Sequence, residues 1–208
     1  MFRLYSDRAA RKAIERESVW IRQVAAKYQV PASWIQAILL KEMTALDLFD
    51  PLADLAVRLY YFRYRLTGRA PKPGTGMLSK NDSSTGWAQI SACVAINALN
   101  FAADRGIADY ADFGFDPAKR LRVESPEDRW LVWRRLNRDR HFNIEMCALN
   151  LLNCAEERTG KTDVLSFSPE EEKQTFTRYN GNVPQITPYA ETVYRYRQEY
   201  RRQEQQKI

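Results

Sequence analysis

The chain has 208 residues, 45% of them hydrophobic and 28% charged, which suits one folded domain with a substantial core and excludes a disordered chain. It contains no apolar run near the roughly 18 residues that a membrane-spanning helix needs. A net charge of +6, from 32 Lys and Arg against 26 Asp and Glu, favours anionic partners without selecting one.

The first residues, Met1-Phe2-Arg3-Leu4-Tyr5-Ser6-Asp7-Arg8, turn charged at once and lack the apolar stretch of a secretory signal, so synthesis in the cytoplasm without a signal peptide is expected. Ser6 is placed to cap a first helix reaching about Tyr28, with Ala10, Ile14, Trp20, Ile21 and Val24 as its apolar positions. Pro31 suits the first turn of a second helix, where its missing N–H goes unused, and Trp34, Ile35, Ile38 and Leu39 carry the stripe to about Ala45. A third helix is expected over Pro51 to Leu66. Gly68 to Thr85, rich in Pro, Gly and small polar residues, reads as a long loop.

A further helix is expected from about Trp87 to Ala103, stopping near Gly106. Ser125-Pro126-Glu127 opens another, and Asn143 to Arg158 makes one that ends before Gly160. Ser168-Pro169-Glu170-Glu171 has the form of a capped start with acids facing the helix dipole. The last helix begins near Pro188 and trails into a charged tail, Arg201 to Ile208. With no repeat and no linker, the reading is a single all-α domain over 1–208. Its core is about 25–196; the helix 6–28 and the C-terminal tail are peripheral.

Three cysteines, Cys93, Cys147 and Cys154, sit in apolar helical stretches and read as buried free thiols. No Cys/His cluster has metal-ligand spacing, so neither a metal nor a cofactor is expected.

Three short segments carry chemistry. Glu42 follows Ile35 by seven residues, Ile38 by four and Leu39 by three, positions that share a face at 3.6 residues per turn. A carboxyl group aimed along an apolar face loses solvation in its charged form and holds its proton, as protonation of a glycosidic oxygen requires. The plain alternative is an ion pair with Lys41 or an Arg at the stripe's edge. In Ser83-Ser84-Thr85-Gly86-Trp87-Ala88-Gln89-Ile90-Ser91, Gly86 allows close backbone approach, Trp87 offers a ring face to a sugar, and Gln89 both donates and accepts. The same string also reads as a helix cap before a core aromatic. Asn180-Gly181 favours a turn that leaves the Tyr179 hydroxyl and the Asn180 amide at an exposed helix end.

Taken in order, these pieces resemble the soluble lytic transglycosylase and goose-type lysozyme group of the lysozyme-like superfamily. Val30-Pro31-Ala32-Ser33-Trp34-Ile35-Gln36-Ala37-Ile38 is similar to the opening of that group's catalytic helix, and Glu42 falls where the group carries its essential glutamate. Ser84-Thr85-Gly86-Trp87-Ala88-Gln89-Ile90 is similar to the group's glycine-containing string on the floor of the glycan cleft. Asn143-Ile144-Glu145 resembles its next helix, Tyr179-Asn180-Gly181 its tyrosine–asparagine motif, and Tyr189 to Tyr194 its terminal tyrosine helix. The chain departs from the pattern in placing Met43-Thr44 after the glutamate, in reading Trp-Ala-Gln after Gly86, and in an inserted helix and loop around 51–85.

The resemblance implies an all-α, lysozyme-like domain that cuts the MurNAc–GlcNAc β-1,4 bond of peptidoglycan. Glu42 is its catalytic acid, and Ser84, Thr85, Gly86, Trp87, Gln89, Tyr179 and Asn180 touch the glycan. With one carboxylate the reaction is that of a lytic transglycosylase, in which the sugar's 6-hydroxyl closes an anhydro ring. An inverting muramidase needs a second carboxylate about 6.5–9.5 Å away. Asp82 is the first choice for it, ahead of Asp47 and Asp50, against the plain role of capping a turn. His141, the single histidine, lies in Arg138-Asp139-Arg140-His141 and reads as part of a solvated break, not of a nucleophilic triad.

Two other classes compete. A basic nucleic-acid-binding domain is suggested by Arg134-Arg135, Arg138 to Arg140 and Arg195 to Arg202, but acids interrupt these runs and no recognition helix emerges, so no nucleic-acid partner is expected. The other is an inactive glycan-binding domain. A wall-cutting chain without a signal peptide is expected to reach the periplasm or the exterior by a non-classical or phage-type delivery apparatus. In the effector version it is met by a protective inhibitor protein.

Overall fold

The computed structural model describes residues 4–47, 49–69 and 81–206. Among these the chain is all-helical, with no named β-strand. In chain order the α-helices are α1 (Asp7–Arg16), α2 (Ser18–Tyr28), α3 (Ala32–Ala45), α4 (Asp50–Thr67), α5 (Ala92–Asp104), α6 (Pro126–Arg138), α7 (Arg140–Thr159), α8 (Pro169–Asn180) and α9 (Pro188–Gln205). Two single 3-10 turns, Tyr110–Phe113 and Val164–Ser166, join them. The backbone forms two compact units. One holds Tyr5–Ala45 and the chain from Ile144 onward; the other holds Leu46–Asn143.

In the first unit α3 is the central element, packed by α1, α2 and α9, with α8 on α9. Its sequence explains that place. Trp34, Ile35, Ala37, Ile38, Leu39, Leu40 and Met43 are apolar on every side of the helix and all are buried, and a helix apolar all round is stable only when covered all round. Trp34 meets Phe176 edge-on at 5.0 Å and Phe167 at 6.1 Å. The cap at Ser6 forms, its Oγ accepting from the Ala9 N–H at 3.2 Å. The single helix expected over 6–28 is instead two. At Glu17 the N–H turns back to the Ile14 carbonyl, one residue short of the α-helical partner, and this tightened turn ends α1.

Ser168 and Glu171 form a reciprocal capping box at the start of α8, as the acids in that turn predicted. α9 continues helical through the charged tail to Gln205. Cys147 and Cys154 are buried and free.

In the second unit α5 packs on α6 around a cluster in which Trp130 stacks on Trp133 at 5.7 Å and on Tyr61 at 5.0 Å. α4 covers the expected Pro51–Leu66 span with one further residue at each end. Of the expected long loop over 68–85, positions 70–80 lie outside the described residues. α5 starts at Ala92, five residues later than the expected Trp87, because Ser91 is its cap, the Oγ accepting from the Val94 N–H. α6 and α7 meet at Asp139, whose carboxylate accepts from the Phe142 N–H at 3.1 Å; His141 is exposed in the turn that follows.

Candidate active site

Glu42 lies in the last turn of α3 and is half-buried, as are Gln36, Lys41 and Thr44 of the same helix. The Tyr189 hydroxyl donates to its Oε1. Tyr189 reaches it from the first turn of α9: the Thr187 Oγ1 caps the helix by accepting from the Ala190 N–H at 3.2 Å, Pro188 fills the first position, and α9 then runs along α3. The Tyr189 ring keeps some exposure, while its hydroxyl is dehydrated. Burial first, then the Glu42 charge, push that hydroxyl far above its ordinary range, so it stays protonated and donates. The Lys41 ammonium sits 5.5 Å from the centre of the same ring.

Tyr179, one residue before the end of α8, donates its hydroxyl to Cys147 Sγ at 3.6 Å. The sequence reading placed this hydroxyl at an exposed end; it points inward instead, and only Asn180 is exposed. Burial again raises its ionisation, with Cys147, Tyr189 and Glu42 adding to the effect. The Cys147 thiol is pushed up to about 12, mainly by burial. Around Glu42, then, stand three groups, Tyr189, Tyr179 and Cys147, that all keep their protons. Cys147 and the direct role of Tyr189 had no sequence signal beyond the tyrosine-rich start of α9.

Two other carboxylates of this unit are more deeply buried. Glu145 is 8% exposed and accepts from the Tyr28 hydroxyl at 3.1 Å and the Lys27 ammonium at 3.2 Å. Glu172, 3% exposed, pairs with the Arg197 guanidinium, yet burial pushes its carboxyl up to about 7. Each is sealed from a large substrate. Glu42 combines partial dehydration with access.

In the other unit the Ser84–Gln89 segment is a tight turn, closed by an isolated pair of backbone hydrogen bonds between Thr85 and Ile90. Asn143, at the start of α7, holds it. Its Oδ1 accepts from the Ala88 N–H at 2.8 Å, and its Nδ2 donates to the Thr85 carbonyl at 3.1 Å. Gly86, at φ +72°, leaves no room for a side chain, since a Cβ there would stand 2.3 Å from Asn143 Nδ2 and 2.9 Å from the Leu136 carbonyl. The glycine thus admits Asn143, a closer neighbour than the ligand expected from sequence. Gln89 is also left-handed (φ 47°), and its Nε2 donates back to the Gly86 carbonyl at 2.8 Å. Ser84 is exposed, Thr85 buried, and the half-exposed Trp87 carries the Arg140 guanidinium 4.2 Å from its ring centre.

Asp82 spends both carboxylate oxygens on the first amides of α5, accepting from Ala92 N–H and Cys93 N–H at 2.9 Å each. This is the capping role weighed against that of second acid. Asp47 and Asp50 bind local amides in the turn before α4. A further carboxylate, Asp54, escaped the sequence reading. It accepts from Ser83 Oγ and Thr85 Oγ1 at 3.0 Å and from Asn137 Nδ2 at 2.7 Å, and burial raises its pKa. Its partners come from two stretches, 83–85 and Asn137, both far from it in the chain, so no spacing marks it.

Among the described residues no cluster of three or more His, Cys, Asp or Glu is arranged to hold a metal, and no helix is long and apolar enough to cross a membrane. Compared with known proteins, the chain matches no family model, no curated protein and no solved structure at a significant level.

Proposed function

We propose that this chain is a lytic transglycosylase of bacterial peptidoglycan, with Glu42 as its single acid–base residue. The observation that carries the reading is the half-buried Glu42 carboxyl, reachable from solvent and held by the Tyr189 hydroxyl in a cluster of protonated groups. Glu42 in its acid form gives its proton to the bridging oxygen as the C1–O bond breaks. The resulting carboxylate then takes the proton of the same sugar's 6-hydroxyl while O6 bonds to C1. One residue thus serves both steps and returns to its acid form. The engagement of both Asp82 oxygens by helix amides favours this over an inverting muramidase, which needs a free second carboxylate.

The assignment of Ser84, Thr85, Gly86, Trp87, Gln89, Tyr179 and Asn180 to glycan contact rests on the family resemblance. Within that set the exposed Ser84 and Asn180 and the half-exposed Trp87 and Gln89 are available to touch sugar. Thr85 and Gly86 shape the turn. Action on the wall and a protective inhibitor belong to the same proposal.

Purified peptidoglycan incubated with the chain, followed by mass analysis of soluble fragments, tests it. Anhydro-ended muropeptides that disappear with Glu42→Gln are expected. Reducing ends would point to the hydrolase, and undiminished release by Glu42→Gln would end the assignment.

A further inference from the structure

The outer face of α4 carries Leu52, Leu55, Leu59, Phe62 and Leu66, each between 44% and 71% exposed. Their spacing is three, four, three, four, the repeat by which one helix seats its side chains between those of another. The helix does not need this face for its own unit, because Ala56, Val57, Tyr60 and Tyr61, on the opposite side, are the buried ones. At about 100° per residue the five apolar positions span a stripe roughly 80° wide, narrower than the broad apolar face of a helix lying in a lipid surface.

The flanks of the stripe decide what covers it. Arg58 and Arg65 border it on one side and Arg63 on the other, all three exposed. They occupy the positions that in paired helices face the partner's charges. Arg58 is held there by its hydrogen bond to Asn137 Oδ1 at 2.7 Å. The nearest acid on the helix, Asp54, is turned to Ser83, Thr85 and Asn137. Two copies of α4 paired through this stripe would set arginines against arginines, which disfavours a homodimer.

We propose that the outer face of α4 docks an amphipathic helix of a partner protein whose apolar seam is flanked by Glu or Asp. The surface lies outside the Glu42 cluster, so the inference stands whether or not the proposed cleavage does.

The test uses the whole chain and a fluorescent three-heptad peptide with Leu at the seam and Glu at the flanking positions, read by anisotropy. A matching peptide with Lys at the flanks, phosphatidylglycerol vesicles, and sedimentation of the chain alone complete it. The Glu peptide should bind at least about tenfold more tightly than the Lys peptide, and more weakly as salt rises. Arg63→Glu with Arg65→Glu should reverse that preference, and Leu59→Asp with Phe62→Asp should abolish binding of either peptide. The charge-reversal pair lies on exposed positions and keeps the test valid should the apolar pair fail to fold. Equal affinity for both peptides, absence of binding, binding to vesicles alone, or self-association through α4 would each overturn the proposal.

Discussion

Replacing Gly86 with Ala should destabilise the Leu46–Asn143 unit severely, and the cost can be built from the contacts. The new Cβ would lie 2.3 Å from Asn143 Nδ2 and 2.6 Å from its Cγ, so the Asn143 side chain must leave. Its departure removes the bond to the buried Ala88 N–H, at about 1–3 kcal/mol, and one of the two bonds to the Thr85 carbonyl, which keeps that from the Ile90 N–H at 3.3 Å. Holding a non-glycine residue at φ +72° adds about 1 kcal/mol, and the Leu136 backbone carbonyl at 2.9 Å cannot move aside cheaply. The sum is about 2–4 kcal/mol before any cost of displacing the Leu136 carbonyl. Gly106 supplies the control: it has a similar φ of +64° but open space where its Cβ would stand, so Gly106→Ala should cost only the backbone part, about 1 kcal/mol. Urea unfolding followed by circular dichroism and tryptophan fluorescence measures both. Because the clash acts through Asn143, Gly86→Ala combined with Asn143→Ala should cost less than the two single changes added together. Equal losses for Gly86→Ala and Gly106→Ala, or strict additivity with Asn143→Ala, would refute the reasoning.

Tyr189→Phe removes the hydrogen bond to Glu42 while keeping the ring in place. Peptidoglycan cleavage should fall on the order of tenfold or more, with the melting temperature moved by only a few degrees; an unchanged rate would detach Tyr189 from the chemistry. Glu172 predicts a pH dependence of stability. Its carboxyl, raised by burial to about 7 from the ordinary 4.5, binds its proton more tightly in the folded state than in the unfolded one. Its contribution is therefore fully present below about pH 4.5, declines as pH rises towards 7, and is flat above, with an upper bound of about 3 kcal/mol. Urea titrations across that window should show the decline in the parent chain and a flatter profile in Glu172→Gln; identical slopes would contradict the assignment.

Helix starts were readable wherever the signal was local. Ser6, Ser125 and Ser168 each accept a bond from an amide three residues on, and the two prolines at Pro126 and Pro169 fill first-turn positions, so each start lies within a few residues of sequence. The stripe of α3, Trp34, Ile35, Ile38 and Leu39, was legible from its spacing and is buried; that Ala37, Leu40 and Met43 on its other sides are buried too came only with the fold. The segment after Gly86 misled because Gly-Trp has the form of a helix start. In the fold, the Ala88 amide is taken by Asn143, 55 residues away, and Gln89 turns left-handed.

Helicity, the starts of most helices and the place of Glu42 along the Ile35, Ile38 and Leu39 face of α3 were legible in the chain alone, because they follow from spacing and from side chains bonding to nearby backbone. Only the tertiary structure decided that Tyr189 donates to Glu42 while Tyr179 turns to Cys147, that Asp82 serves α5, and that Asp54 gathers Ser83, Thr85 and Asn137. Those pairings join residues far apart in the chain. Which polar group meets which is set by how the helices of each unit pack, and no local pattern records it.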